Sequence, residues 1–255
     1  DLFGYMAARR RGQGQGTQRR TSPLKNSLLI SVLPNVITRD FGHFSRNLPP
    51  EKDPVLYESE HYTTYLQGAF TVALLDVGRF EVGEMRDLAE EAVRAASGQL
   101  SQADGSYFLP LRERARRVRQ LLSALGRLRG GAHLARNLSD VTPVAVLLAF
   151  VDGGNAPFQR LFEADANMER VVLNVARLRS VLHDYKDRLL GPEGEAATTV
   201  FSARPGVLGN EDEVAAALRS DELLAACVRV ETTPLQAIER VATWVEAVFE
   251  RYVRP

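Results

Sequence analysis

Between Asp1 and Asp40 the chain carries no acidic residue, yet Arg9, Arg10, Arg11, Arg19, Arg20, Lys25 and Arg39 fall in that interval. Guanidinium and ammonium groups gathered away from carboxylates raise the local positive potential, which is the chemistry that grips the phosphates of a polyanion. Thr21 and Ser22 add hydroxyl donors beside Arg20. The gathering is local, because the whole chain sets 32 Lys+Arg against 32 Asp+Glu. A second constellation runs from Arg129 through Gly130, Gly131 and His133 to Arg136 and Asn137. Paired glycines let a backbone approach a ligand closely, and Arg136 and Asn137 could donate to phosphate or base edges. The same glycines serve equally as a helix C-cap. A third is the run Arg112, Arg114, Arg116, Arg117, Arg119, Arg127 and Arg129 against Glu113 alone. It reads as a solvated helix face, with a phosphate-facing surface or a contact to an acidic partner as the alternative.

Bond-breaking chemistry finds little support. His43, His61, His133 and His183 show no HxxxH or HExxH spacing, so no metal site is expected. No GxSxG elbow, Walker lysine loop or strand-preceded GxGxxG occurs, and Gly12 to Gly16 reads as a flexible linker. Asp40 and Asp76 could assist cleavage of a bound RNA as a general base or through a metal, but each reads more simply as a turn residue. No catalytic residue and no cofactor is expected. The single cysteine, Cys227, leaves no internal disulfide and reads as a small buried residue near a strand.

The elements that must position these groups follow from patterning. With 255 residues, 45% of them hydrophobic, the chain can bury a full core. No run approaches the roughly 18 apolar residues of a membrane span, and the expectation is a soluble, cytoplasmic protein without membrane contact. Asp1 to Ala8 reads as the middle of an element, and Arg9 to Arg20 as a basic loop. Ser27 to Leu33 is a predicted strand ended by Pro34; residues 35–60 form a long protruding loop or hairpin; His61 to Leu75 is extended; Gly78 to Gly83 turns the chain. Helices are predicted over Met85 to Ala96 and Leu111 to Leu128, then a buried strand over Val144 to Val151. Further on come a strand from Arg170 to Leu178, a helix from Ser180 to Leu189, a hairpin signal at Gly191 to Gly194 and a strand from Thr198 to Ala203. Helices over Glu211 to Arg219 and Pro234 to Tyr252 close the chain, the last capped by Thr233-Pro234. Strands mixed with helices outside strict βαβ alternation make the fold class α+β.

Four blocks resemble a known family. They are Asp1-Leu2-Phe3-Gly4-Tyr5-Met6-Ala7; Arg20-Thr21-Ser22-Pro23-Leu24 leading into a strand; Tyr57 to Phe70, reading YESEHYTTYLQGAF; and Gly130-Gly131-Ala132 through Arg136-Asn137-Leu138-Ser139-Asp140. Their order and spacing over residues 1–151 resemble the CRISPR Cascade backbone subunit, the Cas-seven family, in its Cst/DevR branch (type I, subtype I-B). The resemblance implies a modified RRM-like (ferredoxin-like) palm over 1–255, with an antiparallel sheet, a helical insertion at 84–129 and a protruding thumb hairpin at 35–60. The family's first strand and early basic helix have no counterpart before Asp1, which implies that this chain lacks the N-terminal part of the palm.

The resemblance further implies copies of the chain stacked along one guide crRNA, which they present to a target DNA strand beside other Cascade subunits. Phe41 and Phe44, flanked by Arg39 and His43, would form the thumb tip that wedges at a displaced base, where stacking is worth about 1–3 kcal/mol per base. Met6 would meet the kinked nucleotide, with Gly4 and Tyr5 beside it. Arg9, Arg19, Arg20, Thr21, Ser22 and Lys25, with Gly130, Gly131, His133, Arg136 and Asn137, would hold phosphate and sugar while leaving pairing edges free. Of these, the Arg20-Thr21-Ser22 segment is the strongest candidate for direct phosphate contact. The enzymatic alternative is a type III-like relative in which Asp40 supports cleavage of target RNA. A DNA-binding developmental regulator is the third reading.

Overall fold

The computed structural model describes residues 1–8, 17–44, 55–83, 85–96, 98–129 and 138–253. Arg9, Gly130, Gly131, His133, Arg136 and Asn137 lie outside them, as do the Gly12 to Gly16 linker and the side chain of Phe44. The first strands are β1 (Tyr5–Ala8), β2 (Thr17–Arg20), β3 (Leu24–Asn26), β4 (Ile30–Ser31), β5 (Thr38–Phe44), β6 (Val55–His61), β7 (Leu66–Gln67), β8 (Phe70–Val72) and β9 (Arg79–Phe80). Helix α1 (Glu90–Ala95), strands β10 (Ser101–Ala103) and β11 (Ser106–Phe108), helix α2 (Leu111–Gly126) and strand β12 (Ala145–Val151) follow. The remainder is β13 (Phe162–Ala164), β14 (Val171–Leu173), α3 (Val175–Tyr185), β15 (Leu189–Leu190), β16 (Thr199–Ala203), α4 (Glu211–Ser220), α5 (Glu222–Cys227), β17 (Val228–Val230) and α6 (Pro234–Tyr252).

A four-stranded sheet in the order β15-β12-β16-β17 holds the molecule together. Period-2 alternation along β12 feeds two cores at once. Val146, Leu148 and Phe150 pack with Val118 and Leu122 of α2 and with Val241, Val245 and Phe249 of α6. Leu147, Ala149 and Val151 turn the other way, against Leu178 and Leu182 of α3, Val214 of α4 and Leu224 of α5. Burial of each such side chain contributes about 1.5–3 kcal/mol, so the two-sided strand is where the stability concentrates. The α6 stripe is buried as its spacing predicts, and the Thr233 side chain accepts a hydrogen bond from the Gln236 amide at 3.2 Å, with Pro234 beginning the helix.

The fold is α+β, with one departure from an all-antiparallel sheet. β16 and β17 pair in parallel. Two helices, α4 and α5, occupy the connection between them, and a crossover of that length brings the chain back in at the same end of the sheet.

Several predicted elements are corrected. Of the predicted Ser27 to Leu33 strand only β4 forms, pairing with β7, while β3 lies just before it and pairs with β8; Leu28 and Leu29 between them face solvent. His61 to Leu75 breaks in the matching place. In the predicted loop or hairpin at 35–60, Thr38–Phe44 pairs antiparallel with Val55–His61 as a ribbon, and residues 45–54 lie outside the described ones. The predicted helix at 85–96 shrinks to α1, because Leu88 bridges Val82 and the Asp87 carboxylate accepts the Glu81 amide, which fixes the preceding residues as a turn. Between α1 and α2 a β10–β11 hairpin turns at Asp104-Gly105, both at positive φ, a turn signal that the sequence carries in plain form. Thr17 to Arg20 is strand rather than loop. Arg170 to Leu178 splits into β14 and the start of α3, with Asn174 capping the helix through the Arg177 amide. The strands flanking Gly191 to Gly194 do not form a hairpin; β15 and β16 lie on opposite sides of β12. Cys227 ends α5 half-buried beside β17, and burial pushes its thiol pKa up.

Candidate nucleic-acid interface

The β1–β2 ribbon sorts the basic residues by strand parity. Tyr5 lies opposite Arg20, and Met6 opposite Arg19. Side chains at successive positions leave opposite faces, so one arginine must turn inward when its neighbour turns out. Arg20 is the inward one, with only 7% exposure. Its guanidinium donates to the Asp1 carboxylate, to Asp87 Oδ2 at 3.0 Å, to the Arg79 carbonyl at 2.8 Å and to the Asp76 carbonyl at 2.7 Å. It also lies over the Phe80 ring, 4.6 Å from the centroid. Burial lowers the Arg20 pKa, and Asp87 acts against that shift. The expectation that Arg20 contacts phosphate directly is therefore corrected: its donors are engaged within the fold.

Three neighbours share that structural role. Gly4 sits at φ 67°, and a Cβ there would come within 2.6 Å of the Arg20 carbonyl oxygen and 2.9 Å of the Ser22 nitrogen, so only glycine allows the approach. The Tyr5 hydroxyl donates to the Asp87 carbonyl. The Ser22 hydroxyl is within hydrogen-bond distance of the Leu2 carbonyl at 2.7 Å and also of the Leu24 carbonyl. Gly4, Tyr5 and Ser22 thus build the platform, and their predicted ligand contacts are not offered by their polar groups.

What faces solvent is a different subset. Met6, Arg19, Thr21 and Lys25 are exposed. Arg19, Thr21 and Lys25 line a cleft of about 310 Å³ whose far wall carries Arg79, Met85 and Arg86. That wall is tied to the ribbon by the Arg19 amide donating to the Arg86 carbonyl at 3.2 Å. The cleft is mixed in charge: Asp76, Glu81 and Asp87 also border it, and Arg86 pairs with Glu81 at 2.6 Å. Among the described residues Arg19 and Lys25 have no carboxylate partner and are exposed, whereas Arg79, without one too, is half-buried and donates to the Ser106 hydroxyl at 3.2 Å. Arg79, Met85 and Arg86 were not legible as site residues, since they join the site only by folding across some sixty positions. The two arginines flanking the Gly83 turn were the one local signal.

The β5–β6 ribbon carries the rest. Arg39 faces Glu60 in register and lies 3.5 Å from Glu58 and 3.4 Å from Glu60, so its charge is met on the ribbon itself. Phe41 is 71% exposed opposite Glu58, and His43 is exposed opposite Leu56. The Phe44 half of the predicted tip lies outside the described side chains. Asp40 is a strand residue opposite Ser59, not a turn residue, whereas Asp76 does lie in the turn before β9. Among the described residues no group of three His, Cys, Asp or Glu side chains could hold a metal ion.

The arginine run on α2 is largely engaged. Arg116 and Arg117 bond Glu113, pushing its carboxyl down to about 2, with the Arg116 hydrogen bond the largest cause. Arg119 pairs with Glu246 at 2.6 Å and Arg127 with Glu239 at 2.8 Å, both across to α6. Arg114 departs from the solvated-face reading altogether. It is 1% exposed and donates to the Val77 carbonyl at 2.6 Å and the Leu75 carbonyl at 3.1 Å, between the rings of Phe108 and Phe249. It pins the turn from which the Asp76 and Arg79 carbonyls reach Arg20.

No helix among the described residues is long and apolar enough to cross a membrane. Residues 1–161 match the family model described as CRISPR-associated negative auto-regulator DevR/Csa2. No curated protein matches the chain. Both the cleft and the β5–β6 ribbon fall inside the matched span.

Proposed function

This chain belongs to the CRISPR-associated DevR/Csa2 family, and on that premise we propose that it is a backbone subunit that holds guide crRNA in a type I, Cascade-like surveillance complex. In this reading it breaks no bonds. Copies of it line up along one guide, present the guide to a target DNA strand, and assemble with the other subunits of the complex in the cytoplasm.

The observation that carries the reading is the pair of carboxylate-free cations, Arg19 and Lys25, with the exposed Thr21 at one open cleft within the matched span. Such a cleft grips phosphate and sugar without selecting bases, which is what a carrier of arbitrary guides requires. Residues 35–60 act as the thumb, with Phe41 as its exposed aromatic contact. Self-assembly is supported by the aliphatic side chains that Leu28, Leu29, Val36, Ile37, Val55 and Leu56 turn to solvent, a concentration of the kind partner surfaces cover.

The test is to co-express the chain with a guide RNA and purify the product. A ribonucleoprotein with protection at regular intervals is expected; protein free of RNA would overturn the reading. Adding complementary RNA and a divalent metal should give no cleavage, whereas regularly spaced cuts abolished by Asp40→Ala would make the chain a guide-directed nuclease. The words "negative auto-regulator" in the family description favour a second reading, sequence-specific binding of duplex DNA. Competition between duplex and random RNA for the isolated chain separates the two.

A further inference from the structure

Met85 holds a left-handed backbone, φ 57°, although it is not glycine and its side chain is 53% exposed. A side chain in that region clashes with its own backbone, so the conformation persists only where surrounding contacts impose it. Those contacts are present on both flanks. The Gly83 amide donates to the Leu88 carbonyl at 3.1 Å, the Leu88 amide to the Glu81 carbonyl at 3.0 Å, and the Arg86 carbonyl accepts from Arg19. The Asp87 carboxylate accepts from both Glu81 and Arg20.

Among the described residues, the three other non-glycine residues with positive φ lie in turns, Arg160 at the end of the turn over 157–160. Asp104 turns the β10–β11 hairpin with Gly105, and Met168 turns the β13–β14 hairpin, where its amide meets the Asp165 carbonyl at 3.0 Å. Met85 is the third residue of the turn that the Arg86 amide closes on the Gly83 carbonyl at 3.4 Å; the turn calls for the positive φ but not for a methionine, and an exposed thioether gains little from burial. What the strain achieves is placement: it sets an unbranched, polarizable apolar side chain on the wall of the cleft that Arg19 and Lys25 also line.

We propose that Met85 is a nucleobase-contacting residue of this cleft, covering one face of a base whose phosphate rests on Arg19 and Lys25. The inference rests on the guide-binding reading and deepens it. Thioether contact with an aromatic ring is favourable and indifferent to base identity, since every base presents a π face. An apolar wall of this kind adds affinity for bases without adding sequence preference, which phosphate contacts alone do not do.

The experiment measures binding of the 255-residue chain to two fluorescent oligoribonucleotides of equal length, one of mixed sequence and one abasic throughout. The parent should hold both, the mixed-sequence strand several-fold more tightly. Met85→Ala should bring the mixed-sequence affinity down toward the abasic value and leave abasic binding unchanged, while Met85→Leu should retain most of the difference. Met85→Gly should lose the difference and melt no lower than the parent, because glycine relieves the left-handed strain. A merely structural Met85 would instead change both oligomers alike or neither. Equal parent affinity for the two strands, or an unaltered Met85→Ala, would overturn the methionine contact and leave the phosphate grip standing. Binding of neither strand by the parent would overturn both.

Discussion

Arg20 and Asp87 are ion-paired at 3.0 Å beneath the cleft, while Arg19, the preceding residue, stands on its open side without a carboxylate partner among the described residues. One step along the strand separates a structural arginine from a solvent-facing one.

Removing the two should therefore have opposite consequences. Arg20→Ala takes the arginine partner from the Asp87 carboxylate, leaves Asp1 with Arg117 and the Gly78 amide, and strands the Asp76 and Arg79 carbonyls; breaking a buried ion pair from one side costs about 3–5 kcal/mol. Urea unfolding should show that loss. Arg19→Ala and Lys25→Ala should each stay within about 0.5 kcal/mol of the parent, as exposed substitutions do. Unchanged stability in Arg20→Ala would contradict the buried network.

Salt should report the same division. Each phosphate neutralised contributes about 0.7 to the slope of log affinity against log salt for a single strand. The Arg19→Ala, Lys25→Ala double variant should flatten that slope for single-stranded RNA by about 1.4, two contacts' worth. Arg39→Ala should change it little, because Glu58 and Glu60 already face that charge. Fluorescence anisotropy at several ionic strengths measures this, and a slope insensitive to Arg19 and Lys25 would remove the cleft from consideration.

Arg114 makes a prediction about the turn that carries the cleft wall. Arg114→Met keeps much of the apolar stem but strands the Val77 and Leu75 carbonyls, each at about 1–3 kcal/mol. Thermal melting should fall by several degrees, and amide exchange should speed up across 74–80. Arg114→Lys should restore only part of the loss, since one ammonium cannot reproduce the guanidinium fork.

Glu113 supplies the pH dependence. Its carboxyl is held down to about 2 in the fold, against an ordinary 4.5, by hydrogen bonds from Arg116 and then Arg117. A depressed carboxylate pKa stabilises above the unfolded value and loses its contribution as pH falls through the folded one. The stability gap between parent and Glu113→Gln should be full above about pH 5 and close as pH falls toward 2. Both partners reach solvent, so the gap should not exceed about 1 kcal/mol. A gap that widened on acidification would reverse the assignment.

Gly42 offers a test of the ribbon. It lies opposite Tyr57, and a Cβ at 42 would come within 2.5 Å of the tyrosine ring. Gly42→Val should push that ring aside and speed amide exchange in β5 and β6, while the melting temperature stays near the parent's because the ribbon lies outside both cores. Undisturbed exchange would show that the ring does not rest on the glycine.

Much of the scaffold was legible in the chain. Helix α6 can be read residue by residue, since its Thr233-Pro234 start and its Ile238, Val241, Val245 and Phe249 stripe are set by local geometry. The buried strand near 145–151, the fold-back within 35–60 and the concentration of positive charge before Asp40 were equally plain. The short strands were not, because two or three residues carry too little periodicity to distinguish a strand from a loop, and their pairing partners lie as far off as Val72 is from Leu24.

Periodicity and capping in the sequence determined α2, α4 and α6, the mix of elements the fold class, and composition the concentration of positive charge in the N-terminal segment. Only the tertiary structure decided which arginine serves which purpose. Helical faces follow from the spacing of residues along one chain, but the inward face of a two-stranded ribbon is set by what packs beneath it. Asp1, Asp87 and the Asp76 and Arg79 carbonyls draw Arg20 inside. Strand alternation then turns Arg19 outward, toward the wall carrying Met85 and Arg86.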